Sequence, residues 1–169
     1  MQTKPAIPTQ LRPHIQLVKA DVLSNSALFS GSTPGRYYFL QLPFANRSDL
    51  GLFMTEYDLD DAFSERPYVL RGRTLAVASD SSIAVFKENH KIGTVKVNDD
   101  SEVFDVSRDG KFVVHVQGKR IINLWDVQGG KCLASFEDQS DVHNVAMNPW
   151  SGDIAWLTSE GLRFERPGR

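Results

Sequence analysis

Residues 103–136 read VFDVSRDGKFVVHVQGKRIINLWDVQGGKCLASF, and the fold is decided by how this stretch is read. Val103-Phe104-Asp105-Val106 runs into the turn signal Ser107-Arg108-Asp109-Gly110, and Phe112 to Val116 runs into Gln117-Gly118-Lys119. Ile121 to Asp126 then meets Gln128-Gly129-Gly130, which turns the chain into Cys132 to Phe136. Short runs of β-branched and aromatic residues, broken about every 8 to 12 positions by Gly and Asp, predict a meander of antiparallel strands.

The same plan extends in both directions. Upstream, Pro67 to Leu70, Thr74 to Ala78, Ser82 to Phe86 and Ile92 to Val97 form a second set of four strands, with turns at Ser79-Asp80-Ser81 and Glu88-Asn89-His90. Downstream, Val142 to Met147, Ile154 to Thr158 and Leu162 to Glu165 form three strands of another set. Near the start, the aromatic run Arg36 to Leu42 ends at Pro43 and finds a partner strand in Leu50 to Leu59. Ala27-Leu28-Phe29 is a short strand candidate, and Ile15 to Leu23 reads as a strand in preference to a short helix. Met1 to His14, punctuated by Pro5, Pro8 and Pro13, is expected to be an extended arm. No window carries a convincing 3.6-residue apolar stripe, so helix is expected to be scarce.

Composition bounds the function. The chain has 169 residues, enough for one domain with a sizeable core, and its 41% hydrophobic and 24% charged residues are ordinary for a globular protein. The net charge is −2, with 6 basic and 7 acidic residues in positions 1–70 and 13 and 14 in positions 71–169. This even balance argues against nucleic acid as the partner, although Gly118-Lys119-Arg120 and Arg71-Gly72-Arg73 place basic pairs on loops. Cys132 is the only cysteine, which excludes an intrachain disulfide and a multi-cysteine zinc site and suits a reducing compartment. The cytoplasm is the expected location, with the nucleus left open. Neither a secretory signal nor an apolar run of membrane-spanning length is present, so the Asn46-Arg47-Ser48 acceptor spelling carries little weight.

An internal repeat emerges from these sets. Asp109-Gly110 and Gly152 occupy equivalent turns about 42 residues apart, and Phe104-Asp105-Val106-Ser107 aligns with Val145-Ala146-Met147-Asn148. Four strands repeated at this period are the signature of a propeller, in which stacked blades cover the faces that one twisted sheet leaves open. Over about residues 67–166 the chain resembles the WD-repeat family. Ile122-Asn123-Leu124-Trp125-Asp126 is similar to the family's third strand ending in Trp-Asp, and Val142 through Pro149 to its first strand and the following turn. Phe86-Lys87 stands at the Trp-Asp position of the preceding blade. Asp138-Gln139-Ser140 occupies the place of the family's Gly-His, and Lys119 the place of its turn Asp. Of the buried hydrogen-bond network usual in the family, Trp125 remains in the best blade and Asp80 at the matching turn of the blade before it.

The fold class implied is all-β: a propeller-like array of about four antiparallel four-stranded blades over residues 15–169, following the arm at 1–14, the last blade lacking its outer strand. The array could be a small closed ring, a piece of a longer protein, or an incomplete ring finished by a homodimer or another subunit. The edge at Leu162 to Glu165 would attract a free strand, either Ile15 to Leu23 or one from a partner.

Chemistry-bearing residues are sparse. Asp58, Asp60 and Asp61 cluster without the Gly turn and further ligands a cation loop needs, and His14, His90, His115 and His143 lack metal-ligand spacing. His115 stands on an inner strand where the family commonly has Ser, so it reads as a buried, hydrogen-bonded histidine, and Cys132 in its apolar run reads as an inert thiol. No catalytic residue, cofactor site or metal site is expected. The resemblance implies contact with partner proteins through rim loops, here 79–81, 99–102, 117–120 and 138–143. Lys119, Arg120, Asp141 and His143 are the candidate contacts there, with Trp150 on the opposite rim. A non-catalytic interaction scaffold in a multiprotein assembly is the expected function. A hydrolase with its site at the propeller centre, using His115 or His143, and a small propeller binding a ligand or glycan are the alternatives.

Overall fold

The computed structural model describes residues 16–21, 26–30, 36–41, 53–58, 67–79, 81–88, 90–98, 103–148 and 151–167, which are strands joined by turns, bends and irregular segments, with no helix among them. Two compact units divide the chain, Met1–Glu65 and Arg66–Arg169.

The first unit holds one antiparallel sheet of β1 (Gln16–Asp21), β2 (Ser26–Ser30), β3 (Arg36–Gln41) and β4 (Phe53–Asp58), in chain order. Strands β3 and β4 pair without interruption from Arg36↔Asp58 to Gln41↔Phe53. Ile15 to Leu23 therefore supplies a strand, and that strand pairs with β2 in its own sheet, Gln16↔Ser30 through Asp21↔Ser26. Pairing with β2 is favoured because the two strands are neighbours in sequence, where the loop to close is shortest.

The second unit contains three sheets. One is β5 (Tyr68–Arg71), β6 (Thr74–Ser79), β7 (Ser82–Lys87) and β8 (His90–Lys96). The next is β9 (Phe104–Val106), β10 (Phe112–Gln117), β11 (Ile121–Asp126) and β12 (Lys131–Glu137). The last is β13 (Val142–Met147), β14 (Ile154–Thr158) and β15 (Gly161–Glu165), three strands among the described residues. Each is an antiparallel meander, and the repeat seen in the sequence is repeated in its turns. Ser107 N donates to Phe112 O at 2.9 Å and Gly110 N to Ser107 O at 3.0 Å, while Asn148 N donates to Asp153 O at 2.8 Å and Gly152 N to Asn148 O at 3.0 Å.

The sheets stack through two apolar layers. Ala76, Ala78, Ile83, Val85, Val95 and Val97 of the β5–β8 sheet and its end meet Phe104, Val106, Val113 and Val127. Val114, Val116, Ile122 and Leu124, on the opposite face of the β9–β12 sheet, meet Val145, Met147, Ile154 and Trp156. Alternation within a strand sends successive side chains to opposite layers, so the nearly unbroken apolar run Phe112 to Val116 belongs to a strand covered on both faces. Gly93 is one place where backbones come too close for a side chain, since a Cβ there would overlap the Val127 carbonyl oxygen.

Candidate interaction surface

The turn between β10 and β11 is tight. Gly118 and Lys119 both adopt left-handed backbone, φ 55° and 67°, and Arg120 N donates to Gln117 O at 3.2 Å, the pattern of a type I′ hairpin turn. Glycine takes this conformation freely, whereas Lys119 holds it against steric cost. The loop from β12 to β13 is strapped onto this turn: Val142 N donates to Lys119 O at 2.6 Å and Asp138 N to Arg120 O at 3.0 Å. Arg120 Nε also bonds Asp141 Oδ1 at 3.1 Å. Lys119, Arg120 and Asp141 are thus gathered on one surface, with Lys119 and Arg120 exposed, and exposed His143 follows Val142 directly. Trp150 lies outside the described residues, as do Asp80, Asp60, Asp61 and residues 99–102 of the other expected rim loops.

Asp138 anchors this surface from below. It is buried, its Oδ1 accepts Ser140 N at 3.0 Å and its Oδ2 accepts the Trp156 indole N–H at 2.8 Å. The Trp156 N–H foremost, then Ser140 N, with Arg163 adding its charge, hold the carboxyl below the usual carboxylate range. Sequence reasoning missed this role. The usable signal was a Trp in a second strand, whose buried N–H requires an acceptor, together with an Asp where the family's Gly-His is absent.

On strands β10 and β9, two further groups are committed to structure. His115 is fully buried, and its Nδ1 accepts the Trp125 indole N–H at 2.9 Å, as expected of a buried, hydrogen-bonded histidine. Asp105, also buried, bonds Val106 N at 2.8 Å and Arg71 Nη2 at 3.0 Å through Oδ1, and Met147 N at 2.9 Å through Oδ2. One carboxylate thereby joins the first strands of three successive sheets. Cys132 is half-buried with Sγ 3.4 Å from Ala134 O. Among the described residues no three His, Cys, Asp or Glu side chains are grouped to hold a metal ion, and no helix is long and apolar enough to cross a membrane.

No protein-family model and no curated protein sequence matches the chain. Solved structures do. Hsv2p of Kluyveromyces lactis is similar over 92% of this chain and 50% of its own, with a TM-score of 0.58 at 12% identity. A variant of that protein with loop 6CD replaced by a Gly-Ser linker matches over 89% and 49%, with a TM-score of 0.54 at 11% identity. The β-propeller domain of Cps50 (Swd1) from Myceliophteria thermophila matches over 60% and 35%, with a TM-score of 0.49 at 16% identity. The chain spans about half the length of the Hsv2p chains. The likeness is one of fold: a β-propeller-like array of antiparallel sheets, not closed into a ring.

Proposed function

We propose that this diverged WD-repeat propeller is a non-catalytic protein-interaction module, working in a multiprotein assembly and reading its partner with the rim made by residues 117–120 and 138–143. The observation that carries this reading is the clamp of the 138–142 loop onto the Lys119–Arg120 turn, which presents Arg120, Asp141, Lys119 and His143 on a stiffened, solvent-facing surface. Preorganised loops lose less freedom on binding, and Arg is among the residues that dominate contact energies. The fold adds support without deciding, since propellers host many functions. Of the two histidines a central hydrolytic site would draw on, His115 is bonded to Trp125 within its blade and His143 is exposed beside the rim loop, while the buried Asp105 is taken up by bonds between blades, which favours the module over the enzyme. A protein partner and a reducing setting, the cytoplasm or the nucleus, complete the proposal, in keeping with the free thiol of Cys132.

Selection of a displayed peptide library on the purified chain tests it. A family of related peptides is expected from the native chain and is lost on Arg120→Glu with His143→Ala, with the circular dichroism spectrum unchanged. Peptides enriched equally on the variant, or none on either, would overturn the reading.

A further inference from the structure

Three turns of the second unit gather positive charge at one end of the strands. Arg71 and Arg73 flank Gly72 between β5 and β6, Lys87 and Lys91 stand where β7 gives way to β8, and Arg108 and Lys111 lie in the β9–β10 turn. Glu88 N donates to Arg73 O at 3.0 Å, which ties the second of these turns to the first. Thr74 Oγ1 donates to Arg108 O at 2.8 Å and Lys87 Nζ to Asp109 O at 3.5 Å, so the third turn, from the neighbouring sheet, lies against both. The approach is close: a Cβ on Gly110 would overlap Ile92 Cδ1 of β8.

Residues 71–74, 87–91 and 107–111 thus bring six cations together with two acids. Glu88 bonds Arg73 at 2.7 Å, Asp109 pairs with Lys111 at 3.4 Å, and the buried Asp105 meets Arg71 at 3.0 Å. With all three carboxylates counted, the cluster keeps three positive charges in excess on a chain whose net charge is −2. At the adjoining β11–β12 turn, Asp126 and its cross-strand partner Lys131 cancel. The loops at the other end of β10, 117–120 and 138–143, set Lys119 and Arg120 against Asp138 and Asp141 and carry no excess. The two ends of the strands therefore differ in charge, and Lys87, Lys91 and Lys111 at the positive end are exposed.

Resting on the reading of the chain as an interaction module, we infer that this end of the β5–β8 and β9–β12 sheets is a second contact surface, which takes an acidic, carboxylate-rich segment of a protein partner. Like charges held together repel, and an anionic segment relieves that repulsion and is steered to the surface by it. An excess of three charges over three turns suits a short run of carboxylates. A nucleic-acid backbone is typically held by about 6–10 phosphate contacts and lies against a basic body, which this chain is not. A lipid surface draws on apolar side chains beside the basic ones, whereas the exposed large apolar residues described, Leu133, Leu157, Leu162 and Phe164, stand on β12, β14 and β15.

Fluorescence anisotropy of a fluorescein-labelled decaglutamate peptide, titrated with the full chain in about 0.1 M salt, reads this surface directly. Binding is expected, and is expected to weaken several-fold as the salt is raised to about 0.3 M. Lys87→Glu and Lys91→Glu, both at exposed positions, are expected to keep the native circular dichroism spectrum and to weaken binding about threefold or more each and about tenfold or more together. Lys96→Glu makes the same charge change at the far end of β8, roughly 17 Å from Lys91 along an extended strand and beyond the Debye length of about 10 Å, and is expected to leave binding unchanged. No binding of decaglutamate, a double variant that binds as the native chain does, or a Lys96→Glu chain as impaired as Lys91→Glu overturns the inference. Tighter binding of a decathymidine strand, or of phosphatidylcholine vesicles with one-fifth phosphatidylserine, overturns it as well and makes the partner a nucleic acid or a membrane. Peptide selection through Arg120 and His143 reads the opposite rim, so enrichment there without decaglutamate binding overturns this inference alone.

Discussion

Arg71 and Asp105 meet at 3.0 Å across two neighbouring sheets, joining the end of β5 to the middle of β9. Oδ2 of the same carboxylate accepts Met147 N, at the end of the third first-strand, at 2.9 Å. In a stacked array every blade contacts only its neighbours, so a group bonded to three of them couples local units into one.

Asp105→Ala removes the acceptor of two backbone N–H groups and strands Arg71. Loss of one member of a buried pair costs about 3–5 kcal/mol, and the partial exposure of Arg71 reduces this to roughly 2–4 kcal/mol. Arg71→Ala leaves both amide bonds in place and is expected to cost about half as much or less. Urea unfolding followed by tryptophan fluorescence compares them; equal costs would show that the backbone bonds contribute little.

Trp125→Phe deletes the donor to His115 Nδ1 and leaves a buried nitrogen facing a hydrocarbon ring edge. A loss of about 1–3 kcal/mol is expected. His115→Ser keeps a polar acceptor on the strand but shortens the side chain and opens a cavity, and is expected to be destabilising as well. A double-mutant cycle between positions 115 and 125 is expected to give a coupling of about 1 kcal/mol.

Acid weakens the junction held by Asp138. The Trp156 indole N–H foremost, and then Ser140 N, hold its folded carboxyl below the usual carboxylate range. The unfolded carboxyl titrates near 3.9, so the contribution is complete well above that pH and is lost as pH falls through the lower folded value. Asp109 behaves alike: burial pushes its carboxyl up, but bonds from Lys111 N and Ser107 Oγ outweigh this and lower it. Midpoints of urea unfolding are expected to decline from about pH 5 downward, less steeply in Asp138→Asn than in the native chain. Parallel declines would remove Asp138 from the account.

The blade period was legible because it is local: Gly and Asp at turns and alternating apolar residues need no knowledge of neighbours. His115 was legible through its place on an inner strand beside Trp125. Asp105 and Asp138 were not, since a carboxylate in a strand or loop looks solvent-facing until the adjacent sheet supplies Met147 N or the Trp156 indole. Pairing of Ile15 to Leu23 was open for a similar reason, because an edge strand's sequence does not say which sheet it will extend. The rim contacts follow in the sequence from the loop order of the resembled architecture and from residue type, and neither carries the backbone bonds from Val142 to Lys119 and from Asp138 to Arg120 that bring the two loops together.

Lys119 separates stability from binding most cleanly. Its φ of 67° is a conformation that costs a non-glycine residue about 1 kcal/mol, and its carbonyl is held by Val142 N. Lys119→Gly keeps that carbonyl bond and relieves the strain, so a gain of roughly 0.5–1 kcal/mol in unfolding free energy is expected. The same substitution removes an exposed cationic side chain from the proposed contact rim, so peptide enrichment is expected to fall while the chain becomes more stable. A gain in stability with undiminished enrichment would take Lys119 out of the contact and leave Arg120, whose exposed pair with Asp141 contributes less than about 1 kcal/mol to stability, as the cation to test next.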